Sequence, residues 1–325
     1  MTHSELALAG HDVPGHNVAG HNVDSAHADL EQLFARAMHW SSHNVAYLDP
    51  ADPELPALPK LKASTELALL SRLWTRLRPD DEDLGPVTAA VRKIWQDPGS
   101  PRPAGTAPAK YRQFALTYAG LAPAGVTTEF HRLPLAGVAP DGYLAPYGRS
   151  PYLRLEARYY AELAGLRHGF ESYRDLYGAS KLANLTSVPI PMDIEDAYEV
   201  THTLFLMTDF AFRGHGLTDH ERKRAFGIVD EMTDHFIDVA HWDLTAELVL
   251  SQFCLGEDPT RTRSGAAGIR TLLAAQTPSG AIPGRFAAQR APESASAVEF
   301  FRKSFHTTLV TAILSLIVLS SPPHS

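Results

Sequence analysis

The chain has 325 residues, 44% of them hydrophobic, which suits one large domain, or two small ones, with a sizeable core. Its formal net charge of -8 argues against a general nucleic-acid backbone binder, which needs clustered Lys and Arg. The single cysteine, Cys254, allows no internal disulfide framework.

The N-terminus carries a five-residue repeat at Gly10-His11, Gly15-His16 and Gly20-His21. We expect residues 1–24 to be a disordered His/Gly-containing tail, with weak metal binding by its imidazoles as the functional alternative. No basic segment followed by an apolar run opens the chain, so a cytoplasmic location is expected.

The rest reads as helices in sequence. Leu30, Leu33, Phe34, Ala37 and Met38 recur at helical spacing. So do Leu67, Leu70, Leu73, Trp74 and Leu77, stopped by Pro79, and Leu84, Val87, Val91, Ile94 and Trp95, closed by Asp97-Pro98-Gly99. Ser100 to Pro108 reads as a loop, followed by a helix from about Ala109 to Leu121. Residues 123–149 are broken by Gly and Pro, with one short helix around Thr127 to Leu133.

Ser150-Pro151 is a good helix start, running to about Gly165. Further helices are expected over Glu171–Leu185 and Met192–Phe212. Thr218 and Glu221 form a capping box for a helix ending near Val239. Asp243 is read as the cap of a helix ending at Gly256. A short helix covers Ser264–Gln276, and the last begins near Ser304. No period-2 strand is visible. The expected fold is all-α, an α/α toroid-like or multi-helix array: one domain over 25–320, with a sub-boundary near 122–149 and a disordered end at 321–325. The apolar run Leu309–Leu319 is shorter than the ~18–20 residues of a membrane span, so it reads as a core helix, with no membrane partner.

Common catalytic signatures are missing. There is no P-loop, dinucleotide fingerprint, CxxC pair, HExxH motif or G-x-S-x-G elbow. What remains are polar residues on apolar helices. Glu195, Tyr198, His202 and Asp209 fall on one stripe of the Met192–Phe212 helix. They form either a proton-transfer or metal-ligating face, or a satisfied core histidine with a capping aspartate. Asp243 and Glu247 lie one turn apart, as a cation-holding pair or as ordinary helix-start carboxylates. His306 is placed in the first turn of the last helix, where the helix dipole would keep it neutral. Asp230, Glu231 and Asp234 mimic an acidic diphosphate-binding motif. They lie opposite Phe226, Val229, Met232 and Phe236, as a solvated face does. Cys254 reads as a buried small hydrophobe.

The segment Leu272 to Gly280, with Gln276 and Gly280 four apart, resembles the helix-to-turn repeat of terpenoid cyclases and protein prenyltransferases. Ile282 stands where that repeat has an aromatic residue. The cyclases' acid motif and the prenyltransferases' Asp-x-Cys zinc pair are absent. The resemblance implies the toroid and no activity. Thr201-His202, Thr208-Asp209-Phe210, Trp242-Asp243-Leu244, Glu247-Leu248 and Phe305-His306-Thr307-Thr308 together resemble an uncharacterised, mainly actinobacterial helical family.

In a toroid, His202, Asp243, Glu247 and His306 would meet in one hollow. The leading expectation is then an enzyme of specialised or peptide-tailoring metabolism, acting on a small molecule or peptide. His202, Asp243, Glu247 and His306 would be the catalytic set, with Tyr198 and Asp209 nearby. A divalent metal such as zinc would be held by His202, His306 and Asp243. The alternative is a noncatalytic helical binding or regulatory protein, with its histidines bonded to backbone in a closed core.

Overall fold

The computed structural model describes residues 23–97, 108–126, 135, 150–284 and 296–321, with side chains left out for 108–113. The N-terminal histidine repeat, the loop at 100–107, the short helix at 127–133 and the last four residues lie outside the described residues.

The described residues form twelve α-helices and no strand. In chain order they are α1 (Val23–Asn44), α2 (Ala57–Leu77), α3 (Leu84–Gln96), α4 (Pro108–Gly120), α5 (Pro151–Leu163), α6 (Tyr173–Ala179), α7 (Lys181–Asn184), α8 (Ile194–Thr208), α9 (Asp219–Asp238), α10 (Trp242–Cys254), α11 (Arg263–Ala275) and α12 (Ala297–Ser320). One 3-10 turn, Val45–Leu48, follows α1.

Periodicity explains most of them. In α3 the buried residues are Leu84, Val87, Val91, Ile94 and Trp95, one stripe of an amphipathic helix. α9 opens with both halves of the Thr218/Glu221 capping box. On its far side Asp234 pairs with Arg263 and Asp230 accepts from Ser264, while Val229, Met232 and Phe236 are buried.

Four helix ends differ from the sequence expectation. The region 171–185 holds two short helices, because the Ser180 hydroxyl leaves the first and caps the second by accepting the Ala183 N–H. α8 stops at Thr208, and Asp209, Phe210 and Ala211 follow with φ of 48°, 55° and 70°. At the start of α5 Ser150 holds the cap position without a side-chain cap bond. The last helix starts at Ala297, capped by Ser296, and not near Ser304. Of the polar residues that suggested a later start, Thr308 is satisfied inside the helix, and so are Thr311 and Ser315 further along it. The Thr308, Thr311 and Ser315 hydroxyls each donate to the carbonyl four residues back, at 2.7, 2.8 and 2.9 Å.

Two helices form the centre. Twelve of the thirteen residues of α10 are buried, and α10 packs on α8, α9, α11 and α12. α12 packs on α1, α2 and α10. At 24 residues, with an 18-residue window of mean hydropathy 1.4, α12 is long and apolar enough to cross a membrane, contrary to the shorter run expected. Within the fold 72% of that window is buried, as in a core helix.

Helices α2, α12, α10, α8, α5 and α4 follow one another, each packed on the next. α3 links the two ends: it packs on α2, and its Trp95 stacks on Tyr118 of α4 at 4.1 Å and donates to the Tyr118 carbonyl at 2.9 Å. All of these helices except α3 contribute residues to the lining of the hollow described below.

The Gln276–Gly280 turn has a local physical cause. Gln276 Nε2 donates to the carbonyls of Leu33 (3.1 Å) and Gly280 (3.0 Å), docking the turn onto α1. Gly280 has φ of +100°, and a Cβ there would lie 2.0 Å from the Arg36 carbonyl oxygen. Only glycine fits such a position.

Candidate functional site

The hollow is a cavity of about 440 Å³. That volume lies within the range of small-molecule sites. α2 contributes Lys62, Thr65, Glu66 and Leu69, and α5 contributes Tyr152, Glu156 and Tyr160. α8 presents Glu195, Tyr198, His202, Phe205 and Leu206, while α10 gives Glu247 and Leu250. α12 adds His306, Leu309, Val310 and Ile313. Phe114, Thr117 and Phe210 complete the wall. Most of these side chains are apolar or aromatic, and two of the polar ones, His202 and His306, face Glu247.

Glu247 sits one turn into α10 with its side chain only 2% exposed. Its Oε2 accepts from Thr201 at 2.5 Å. Its Oε1 faces His202 Nε2 at 3.8 Å and His306 Nε2 at 3.9 Å. Both separations exceed hydrogen-bond length, so neither imidazole is committed to Glu247. The other nitrogen of His306, Nδ1, lies 2.9 Å from Glu66 Oε1. Lys62 approaches the same oxygen at 3.7 Å.

Asp243 stands one turn before Glu247. Its Oδ2 accepts from the Tyr198 hydroxyl and lies 3.9 Å from His306 Nε2. Its Oδ1 lies 2.6 Å from His241 Nδ1, at an angle outside a good hydrogen bond. Asp243 is therefore no helix cap. His241 holds the cap position without a side-chain bond, and the Asp243 oxygens turn to Tyr198 and His241 instead.

The charges follow from this packing. Burial alone would push both histidines toward neutrality, but the facing carboxylates win. Glu247 holds the His202 pKa above its ordinary value, and Glu66 does so for His306. Burial pushes the Glu66 carboxyl up, yet the charge of His306 leaves it below its usual range. Asp243 is likewise raised by burial and brought lower overall by His241, His306 and Tyr198. Burial, with Asp243 and Glu247 adding to it, holds the Tyr198 proton firmly.

The neutral His306 expected from the helix dipole is thus corrected. The helix starts at Ala297, so His306 stands well past its first turn, where the dipole no longer acts.

His202, Asp243, Glu247, His306 and Tyr198 are brought together. Asp209 is not. The helix ends before it, and its carboxylate accepts from Arg76 and Tyr159, each at 2.7 Å, outside the cavity lining. Nor do His202, His306 and Asp243 form a metal set. Among the described residues no group of three or more His, Cys, Asp or Glu side chains could hold a metal ion. The Asp243 oxygens are engaged by Tyr198 and His241, and His306 Nδ1 by Glu66. Cys254 is buried, its thiol pushed up to about 12 by its surroundings, which suits a small core residue.

Sequence reasoning missed Glu66 and His241. Glu66 was hidden by Lys62 four residues earlier, which gives it the look of a surface ion pair. The signal was the stripe Thr65, Glu66, Leu69 and Leu73, which puts a carboxylate on a buried face. His241 stands two residues before Asp243 and was given no role from the sequence.

The fold and the site define an all-helical protein with a cavity whose polar end is built from two histidines and three carboxylates. Residues 34–316 match the family described as Domain of unknown function (DUF6895), and the chain belongs to that family. No curated protein matches the chain.

Proposed function

We propose that this protein is an enzyme that transfers protons on a small, largely apolar molecule held in the cavity. The observation that carries this reading is the approach of two imidazole Nε2 atoms, from α8 and α12, to one carboxylate oxygen at the polar end of an apolar hollow. His202 and His306 act as general acid and base. Glu247 and Glu66 set their charge, and Asp243 with Tyr198 holds the polar end in place. The cavity volume favours a small molecule, or a single side chain of a peptide, as expected for specialised or peptide-tailoring metabolism.

A noncatalytic binding protein is the second reading. Its signature would be histidines bonded to backbone in a closed core. Here both histidines face carboxylates inside a cavity, which favours the enzyme.

The test is to incubate the full-length protein with a cell's small-molecule extract and follow the compounds by mass spectrometry. Wild-type protein should consume a compound that His202→Gln and His306→Gln do not. Binding without consumption by any form, or equal consumption by all three, would overturn the catalytic reading.

A further inference from the structure

The polar end of the cavity is unbalanced in charge. Among the described residues its lining holds Glu66, Glu156, Glu195 and Glu247, against one lysine, Lys62, the two histidines His202 and His306, and no arginine. Asp243 adds a carboxylate just behind. Lys62 is more than half exposed and already serves Glu66. A carboxylate or phosphate ligand would enter a negative field with no guanidinium to receive it.

Glu247 points the same way independently. It is almost wholly buried, yet its Oε1 faces the two imidazole nitrogens only across distances too long for hydrogen bonds. That oxygen has room for a donor from the cavity side, and in the same lining Glu66 Oε2 is buried with no hydrogen-bond partner among the described residues. The surrounding walls are aromatic. Tyr152, Tyr198 and Phe205 stand within 5.9, 6.0 and 6.2 Å of the His202 ring, centroid to centroid. Such faces attract cations, and the aliphatic side chains of α12 beyond them suit an apolar body.

We propose that the cavity takes a small organic amine, its protonated nitrogen donating to Glu247 Oε1 and its apolar body lying against Leu309, Val310 and Ile313. The proposal rests on the reading that this cavity is the working site, and names the substrate class for it. The ammonium supplies three donors, and a neighbouring imidazole that loses its own proton becomes an acceptor for one of them. Glu195, at the exposed start of α8, keeps the approach to the cavity negative.

Calorimetry on the full-length protein tests this with three probes of one shape: phenethylamine, 2-phenylethanol and 3-phenylpropanoate. The amine should bind at least roughly tenfold more tightly than the other two, the scale of one charge-assisted contact. Glu247→Gln should weaken amine binding most. Glu195→Gln, at an exposed position that does not threaten folding, should weaken it by a smaller factor. Equal or tighter binding of the alcohol or the acid would overturn the proposal, as would no amine binding at millimolar concentration, or amine binding that neither variant changes. Amine binding without turnover would sink the catalytic reading and leave this one standing. Turnover of a neutral or acidic compound, with no amine binding, would do the reverse.

Discussion

His306 Nδ1 meets Glu66 Oε1 at 2.9 Å, joining two helices whose contacting residues lie 240 positions apart in the chain. The pair is mostly shielded, with side-chain exposures of 24% and 17%. Removing one partner leaves the other charge under-solvated. Glu66→Ala and His306→Ala should each cost about 1–3 kcal/mol of stability, less than a fully buried pair because the cavity admits some solvent. The double variant should cost clearly less than the sum of the two. Strict additivity in urea unfolding would show that the two side chains do not interact.

Stability should peak in mildly acidic solution. His202 and His306 have folded pKa values above the ordinary 6.5, so the stability they add is full below 6.5 and is lost as pH rises through the folded values. Glu66 and Asp243 have folded values below the ordinary 4.5 and 3.8, so their contribution is present above those values and lost as pH falls through the folded ones. The melting temperature should therefore be highest between 4.5 and 6.5 as far as these groups decide it. The His202→Gln, His306→Gln double variant should flatten the alkaline limb and weaken the acid limb as well, because His306 is what lowers Glu66 and helps lower Asp243. An unchanged alkaline limb would contradict the assignment.

The Gln276 turn gives a prediction independent of the site. Gly280→Ala places a methyl group 2.0 Å from the Arg36 carbonyl, at a φ of +100°. The turn must move off α1, at a cost of about 2 kcal/mol or more. Denaturant unfolding would measure it, and a loss below about 0.5 kcal/mol would mean that the turn is free to shift.

Much of the helix pattern was legible because apolar spacing and capping chemistry are local. The Thr218/Glu221 box and the α3 stripe needed nothing beyond their own residues. Errors arose where a side chain's partner was distant in sequence. Asp243 looked like a cap because its partner Tyr198 lies 45 residues away. Asp209 was assigned to the His202 stripe because nothing local announced the left-handed exit after Thr208. His306 was given to a helix start because Ser304, Thr307 and Thr308 are polar. The Thr308 hydroxyl serves the Ser304 carbonyl of its own helix and an adjacent loop, accepting the Ile282 N–H at 2.9 Å, while the buried Ser304 hydroxyl has no hydrogen-bond partner among the described residues. The Glu66 stripe marked a buried carboxylate, but its partner His306 was evident only once α2 was known to pack on α12.

The central claim is that His202 and His306 share the field of one buried carboxylate. Nuclear magnetic resonance titration of the two imidazoles, in wild-type protein and in Glu247→Gln, tests it most directly. Both rings should titrate above 6.5 in the wild type, and both midpoints should fall when the carboxylate is neutralised. Ordinary midpoints that Glu247→Gln leaves unmoved would contradict the account.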